Sequence, residues 1–371
     1  MLIPSRVDLL ALFDNVRNSC LILALGWIAI TCGCSSASSA QSIELQEVLS
    51  IGGFFDIMDI TVGQDGSIYV ADRRDFSISK YDSQGQLVSQ IGSLGVALGK
   101  FVDSPQTYII GVGLAWVDPG EFFDGPYSIA LLDSILIATD EKGMGTMHFF
   151  DLDLNYTGSD QIIMTDDMDS APNGLLYYGS IDLIDITAFR SYIRTYVPNG
   201  EASRIFELRD MHKYRMENSY FLLAGYPGKI VIVFETVNRI DVYDLSGNIL
   251  NRLSVADLPL RYEGSFMDLK VSTLLPDHIV ESMSYVYGGI MFTGAVLDHE
   301  GNLFLEHGGK NGEMPVRRSV YVMTLAGEEK GVFKMPPHTH LFYMDKKGYA
   351  YAVTRTKSTD LLKKYKLEYL K

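Results

Sequence analysis

The sequence predicts an all-β protein, a six-bladed β-propeller of four-stranded antiparallel blades. Short apolar runs recur along the chain, and turn residues such as Asp65-Gly66 and Ser83-Gln84-Gly85 separate them. A strand-like run at 42–51 has no hairpin partner beside it, whereas the last repeat holds only three such runs. Because a closed ring has no exposed edge, we expect the N-terminal strand to complete the last blade.

The first repeat is the most regular and defines the pattern for the others. Its four predicted strands are 55–61, 68–71, 78–81 and 87–91. Aromatic and β-branched residues fill these runs, as is typical of pleated, half-buried surfaces.

Five further blades follow this pattern in order. Blade 2 is predicted from 127–131, 135–139, 146–150 and 156–164. Blade 3, the least regular, is predicted from 175–178, 181–186, 192–197 and 203–208, after a loop of acids containing Asp166, Asp167 and Asp169. Blade 4 comprises 220–224, 230–234, 239–243 and 249–253. Blade 5 comprises 290–297, 303–306, 320–325 and 332–335. Blade 6 comprises 341–344, 349–354 and 361–367, with the N-terminal strand as its fourth.

Charge and cysteine content limit the classes of function. The formal net charge is −15, and such an acidic surface repels phosphate backbones, which argues against nucleic acid as the partner. All three cysteines, Cys20, Cys32 and Cys34, lie in the N-terminal segment, so no disulfide can form within the predicted propeller.

The N-terminal segment reads as an export signal. The apolar run at 21–31 is too short to span a bilayer comfortably but suits the apolar region of a signal peptide. Cys32-Gly33-Cys34-Ser35-Ser36 follows it, and this arrangement resembles a bacterial lipobox. The resemblance implies a signal peptide at 1–33, lipid on Cys34, a tether at 34–41 and a place in the cell envelope, while the strand pattern predicts the propeller at 42–371. Cys32 is the alternative anchor, and ordinary secretion with cleavage near Ala40 is the alternative fate.

The first blade also carries a family resemblance. Asp65-Gly66-Ser67-Ile68-Tyr69-Val70-Ala71-Asp72 resembles the signature of the NHL repeat, and Val242-Tyr243-Asp244 keeps a fragment of it in blade 4. With the lipobox, the chain resembles six-bladed propeller lipoproteins of the NHL/TolB-like type. The resemblance implies the fold, whereas function varies widely across such propellers.

A candidate binding face follows from the order of the strands. Loops between second and third strands open on the same face as the connections between blades, since neighbouring strands are antiparallel. The long irregular stretches 93–126 and 255–289 and the loop 307–318 should therefore share that face. Aromatic and arginine side chains, which are favoured at binding surfaces, would lie there: Arg73, Arg74, Trp116, Phe122, Phe123, Tyr285, Tyr287, Arg317 and Arg318, together with His307 and Arg355. The alternative is that the aromatic residues only pack the irregular stretches onto the propeller.

The sequence offers one weak candidate for catalytic chemistry. His338 and His340 alternate at the start of a predicted strand and could share a metal ion, since some NHL-type propellers are metal-dependent lyases. Third ligands are not apparent; His278, His299 and His307 are candidates by residue type alone. Loop histidines beside Pro336-Pro337 are the alternative interpretation. No P-loop, G-x-S-x-G or H-E-x-x-H motif is present, so no cofactor is expected.

Two hypotheses of function remain. The first is a monomeric, non-catalytic binding module that recognises a protein, peptide or glycan and contacts the membrane only through its lipid. The second is a metal-dependent hydrolase or lyase with its site in the central channel.

Overall fold

The computed structural model describes residues 43–92, 108–109, 114–115, 126–139, 146–161, 165–171, 175–185, 188–196, 203–209, 219–224, 226, 228–260, 265–269, 283–287, 290–308 and 317–369. These residues belong to one compact unit, Gln41–Lys371. Within these ranges no helix has the length and apolar character needed to cross a membrane.

The chain begins with one long strand and then builds three four-stranded sheets. The first strand is β1 (Ile43–Phe54). Blade 1 consists of β2 (Ile57–Val62), β3 (Ile68–Asp72), β4 (Ser77–Tyr81) and β5 (Leu87–Ile91), and a short pair follows, β6 (Tyr108–Ile109) with β7 (Leu114–Ala115). Blade 2 consists of β8 (Ser128–Leu132), β9 (Ile135–Thr139), β10 (Thr146–Asp151) and β11 (Tyr156–Gln161). Blade 3 consists of β12 (Thr165–Ala171), β13 (Leu175–Asp185), β14 (Ala188–Tyr196) and β15 (Ser203–Glu207).

The second half repeats this plan. Blade 4 consists of β16 (Tyr220–Leu223), β17 (Lys229–Phe234), β18 (Ile240–Asp244) and β19 (Ile249–Leu253), and a second pair follows, β20 (Ser265–Leu269) with β21 (Met283–Tyr287). Blade 5 consists of β22 (Phe292–Leu297), β23 (Asn302–His307), β24 (Ser319–Thr324) and β25 (Glu329–Lys334). Blade 6 consists of β26 (Thr339–Met344), β27 (Tyr349–Arg355), β28 (Asp360–Tyr369) and the N-terminal β1.

The six blades form a closed ring around a central channel. The first strands of consecutive blades are neighbours in the order β2, β8, β12, β16, β22 and β26, and β26 lies beside β2 again. This arrangement confirms the predicted all-β, six-bladed propeller with four antiparallel strands in each blade.

The N-terminal strand closes the ring, as the sequence predicts. β1 pairs antiparallel with β28 from Ile43 opposite Tyr369 to Phe54 opposite Asp360. The Asp360 carboxylate also accepts a hydrogen bond of 2.9 Å from the backbone N–H of Ile57, the first residue of β2. β1 therefore completes blade 6, and Asp360 joins blade 6 to blade 1.

The hydrophobic core is a set of layers between blades. Ile57, Ile60 and Val70 of blade 1 pack with Tyr351 and Val353 of blade 6. Five comparable clusters join the other consecutive blades within the described ranges. Apolar residues on both faces of the middle strands are buried for this reason, and each layer removes apolar surface from water.

Aspartates set the turns of the best-patterned hairpins. The Asp65 carboxylate accepts hydrogen bonds from the backbone N–H and the hydroxyl of Ser67, and Gly66 has φ 90°. The Asp82 carboxylate similarly accepts the N–H groups of Gln84 and Gln86 in the turn before β5. The Asp-Gly pattern in the sequence thus reflects turn chemistry.

Blade 3 corrects the sequence prediction. The predicted loop of acids at Asp166, Asp167 and Asp169 lies in β12, the first strand of the blade. The predicted strands 175–178 and 181–186 fall on one strand, β13, which ends at Asp185, and residue 186 lies outside the described residues. The polar sequence of β12 favours a loop. In the structure the Asp169 carboxylate accepts hydrogen bonds from backbone N–H groups, which allows this acid to lie in a strand.

Candidate functional site

Loops on one side of the ring form what we call the insert face. It comprises the loops Arg73–Phe76 and Thr356–Thr359 and the described residues Gly308, Arg317 and Arg318 between second and third strands, and the connection Pro336–His338 between blades 5 and 6. The chain also leaves blades 1 and 4 on this face for the stretches 93–126 and 255–289, because their fourth strands end there. Trp116, Phe122 and Phe123 lie outside the described residues, whereas Tyr285 and Tyr287 lie in β21, paired with β20.

A buried aspartate organises the arginines of the insert face near blades 6 and 1. The Asp56 carboxylate accepts hydrogen bonds from Arg73 at 2.6 and 2.9 Å and from Arg355 at 2.9 Å, and the Arg74 guanidinium lies 3.8 Å away. The Asp56 side chain is only 5% exposed, whereas that of Arg74 is 73% exposed. The acid therefore points inward, and solvent meets the guanidinium groups.

A neighbouring acid explains why this arrangement holds its shape. The Asp72 carboxylate accepts the backbone N–H groups of Phe55, Asp56 and Asp75 at 2.7 to 3.2 Å. It fixes the connection from β1 to β2 and the loop that carries Arg73 and Arg74. The arginines are thus presented on a rigid turn.

The sequence-predicted pair Arg317 and Arg318 separates in the structure. Arg317 is exposed, as expected for a surface residue. Arg318 is buried with a relative exposure of 4%, so it is not part of an accessible face. The reason is that its guanidinium pairs with the Glu306 carboxylate at 2.5 Å in the wall of the channel.

Glu306, Arg318 and the partly buried His340 form a triad of contacting side chains. His340 Nδ1 lies 3.1 Å from the Glu306 carboxylate and 2.5 Å from Arg318 Nη1. Glu306 also accepts the hydroxyl of Thr293 at 2.8 Å and the backbone N–H of Leu341 at 2.8 Å. Burial alone raises the pKa of Glu306, but the hydrogen bond from His340 and the charges of His340 and Arg318 outweigh it, so the pKa is held below its ordinary value.

A glycine beside this triad allows blades 5 and 6 to approach each other. Gly294 lies opposite Glu306 in the pairing of β22 with β23. A Cβ at 294 would lie 3.3 Å from the carbonyl oxygen of Leu341 and 3.5 Å from Cβ of Glu306. The missing side chain lets the backbone of Leu341 in blade 6 approach β22 closely.

The two candidate metal ligands lie in different environments. His338 is exposed, precedes β26 and has φ 57°, whereas the partly buried His340 is in β26 and belongs to the triad. Burial lowers the pKa of His307, whose ring packs edge-to-face on Tyr321. In the part of the chain that the structure describes, no three His, Cys, Asp or Glu side chains are grouped as a metal site would require. His278 lies outside the described residues.

The central channel is wide and partly polar. Its cavity has a volume of ≈ 1490 Å³, and the first strands of all six blades line it. Asp59 of β2 and Asp169 of β12 are among its wall residues, with Tyr343 of β26. The sequence predicts Asp169 only as part of a loop of acids and gives Asp59 no role, although Met58-Asp59 and Met168-Asp169 repeat the same pair of residues in two first strands.

The two channel aspartates have unusual protonation behaviour. Burial raises the pKa of Asp59 to about 6, even though the backbone of Ile129, the Ser128 hydroxyl and the backbone of Ile60 all donate to its carboxylate. Burial likewise raises the pKa of Asp169 to about 6, against hydrogen bonds from the amides of Ala224 and Ser170. The pKa of each carboxyl group is therefore raised well above its ordinary value of 3.8.

Comparisons with known proteins agree on the fold. No family model matches the chain, and no curated protein matches it. A protein from Bacteroides fragilis described as exported is similar in structure at 9% identity, with a TM-score of 0.50 over 90% of this chain and 97% of that one. A member of the DUF4221 family from Bacteroides vulgatus (11% identity, TM-score 0.48, 89% and 100% covered) and a streptogramin B lyase (11%, 0.48, 88% and 98%) are similar too. At these identities the similarity concerns the fold alone, and the resemblance to NHL/TolB-like lipoproteins remains a prediction.

Proposed function

We propose that the protein is an exported, lipid-anchored and non-catalytic binding propeller that holds a carboxylate-bearing partner, an acidic peptide segment or glycan, on its insert face. The observation that supports this proposal most is the presentation of arginines there. Asp56 is turned inward, while Arg74 and Arg317 are exposed. Guanidinium groups bind carboxylates with paired hydrogen bonds, which gives both affinity and orientation.

The net charge of the whole chain limits where an acidic partner can bind. With a net charge of −15, the molecule repels acidic polymers in general. An acidic partner would therefore bind where cationic side chains are exposed and the neighbouring acids are buried and already paired. The environment of Asp56 meets that description.

The export and anchoring part of the proposal rests on the lipobox-like segment around Cys34. Cys34→Ser should release the protein from the membrane fraction, while Cys32→Ser should leave it there. The opposite result would assign the lipid to Cys32. Full membrane retention in both variants would contradict a lipid anchor.

Binding can be tested with defined polymers. Poly-glutamate and polygalacturonate would serve as acidic probes, with neutral dextran for comparison, and affinity would be measured by biolayer interferometry at low salt. Arg74→Ser/Arg317→Ser removes two exposed guanidinium groups and should weaken binding of one acidic probe at least about tenfold, because each hydrogen bond to a charged group contributes about 1.5 kcal/mol or more.

The control variant is Lys363→Ser/Lys366→Ser. It removes two cations from β28, where Lys363 pairs with Glu47 at 2.7 Å and Lys366 with Glu368 at 3.1 Å. This variant should bind like the wild type. Equal affinity of all three proteins, or no binding of either acidic probe, would contradict the proposal.

A further inference from the structure

Lys364 is a partly buried lysine at the opposite side of the ring from the insert face. It lies in β28 and pairs with Tyr351 of β27. Its ammonium lies 4.3 Å from the ring centre of Tyr349 and 5.0 Å from that of Tyr351. The two rings hold the side chain in place through cation–π attraction.

Lys364 differs from the neighbouring lysines of β28 in its electrostatic partners. Within the described ranges no acid lies within ion-pair distance of Lys364, whereas Lys363 and Lys366 on the same strand each have one. Asp345 is the acid whose charge raises the pKa of Lys364, and its carboxylate oxygens already accept other hydrogen bonds. They accept the backbone N–H groups of Lys347 and Tyr349 and the hydroxyl of Tyr351 at 2.8 to 3.1 Å.

The surroundings of Lys364 are open to a ligand. Lys364 lines the central cavity together with Lys346, Lys347, Gly66 and Ser83. Lys346 and Lys347 are exposed and belong to the turn between β26 and β27, so they stand at the rim. Burial lowers the pKa of Lys364, and the positive charge of Lys347 adds to this effect while Asp345 opposes it.

We propose that Lys364 is the inner cation of an oxyanion site at the edge of the cavity between blades 6 and 1, with Lys346 and Lys347 at its rim. A carboxylate or phosphate group would pair with Lys364, for which the described residues supply no ion-pair partner, while Asp345 acts on it only with oxygens that are already hydrogen-bonded. The site is separate from the insert face and does not depend on the proposed function.

Amine acetylation followed by mass spectrometry tests the site directly. The full chain would be treated with a limiting amount of an N-hydroxysuccinimide ester of acetate, and modification of Lys364 and Lys366 would be quantified separately. Inorganic phosphate or excess acetate, each at the ionic strength of a chloride control, would be the two oxyanion probes. At saturation, at least one should slow modification of Lys364 at least tenfold without changing that of Lys366.

Two variants complete the test. Lys364→Met should abolish the rise in Tm that the same oxyanion produces, while Lys366→Met should keep it. Arg74→Ser/Arg317→Ser should retain protection of Lys364 by the oxyanion. The oxyanion site and the proposed binding function can therefore be disproved separately. Unchanged modification of Lys364 with both oxyanions, or equal protection by chloride, would overturn the proposal.

Discussion

The carboxylate of Asp59 lies 2.8 Å from the backbone nitrogen of Ile129, and this hydrogen bond joins blade 1 to blade 2. Asp169 joins blade 3 to blade 4 through the N–H of Ala224 at 2.8 Å, and Glu306 joins blade 5 to blade 6 through the N–H of Leu341 at 2.8 Å. Asp360 closes the ring through Ile57. Carboxylates therefore act as clamps between blades, in addition to the apolar layers.

Asp59→Asn should make stability less dependent on pH. Since burial raises the pKa of Asp59 from 3.8 to about 6, the folded state binds a proton that the unfolded state releases between these values. The contribution of Asp59 to stability is therefore largest below about pH 4 and falls as pH rises through about 6. Asparagine keeps an acceptor for Ile129 without the charge.

We expect Asp59→Asn to gain up to about 3 kcal/mol relative to wild type between pH 4 and pH 7.5, since one pKa unit corresponds to about 1.4 kcal/mol. Urea unfolding at the two pH values measures this difference. Glu328→Gln, on an exposed turn, is the control and should show no such gain. A variant whose stability follows wild type at both pH values would show that Asp59 is ionised without penalty.

Arg318→Met should be strongly destabilising. It leaves the Glu306 carboxylate, which is 1% exposed, without its guanidinium partner, and loss of one partner of a buried pair costs about 3–5 kcal/mol. Arg318→Met/Glu306→Gln should recover part of that loss, because the unpaired charge is gone. A double variant as unstable as the sum of the single variants would mean that the two groups are not coupled.

Gly179→Ala should destabilise the joint between blades 3 and 4. A Cβ at 179 would lie 2.1 Å from the hydroxyl oxygen of Tyr220, so the two blades must shift, at a cost of about 1–3 kcal/mol. Tyr220→Phe removes the nearest atom, and Gly179→Ala/Tyr220→Phe should be more stable than Gly179→Ala alone. Thermal unfolding of the three variants checks this, and no rescue would place the strain elsewhere.

Phe54→Ala tests the closure of the ring. Phe54 is 3% exposed in β1 and packs in the layer between blades 6 and 1, so its truncation should cost about 3–5 kcal/mol. Val48 lies in the same strand but is 47% exposed, and Val48→Ala should change stability by no more than about 0.5 kcal/mol. Similar effects of both variants in denaturant unfolding would contradict the packing of β1.

Alternation of apolar and turn residues predicts most of this fold because it reflects local physics. Asp65 and Gly66 mark a turn through their own side-chain and backbone geometry, and the strands on either side follow. The unpaired first strand predicts closure because an open edge is unfavourable. The first strand of blade 3 could not be predicted in this way, because its Asp169 is stabilised by the N–H group of Ala224, 55 residues away.

The site residues are harder to predict for the same reason. Arg317 and Arg318 are adjacent in the sequence. Arg318 is buried because it pairs with Glu306, which is distant in the sequence, whereas Arg317 is exposed. Asp59 and Lys364 become distinctive through burial and through the partners they have or lack, which no local pattern shows.

Hydrogen–deuterium exchange in the presence of the acidic polymer that binds tests the central claim most directly, because it locates the partner on the ring. We predict that poly-glutamate or polygalacturonate protects the backbone of 73–76 and 317–319 on the insert face, and that Arg74→Ser/Arg317→Ser loses this protection. Protection confined to the turns 298–301 and 345–348, on the opposite face, would contradict the proposed binding surface.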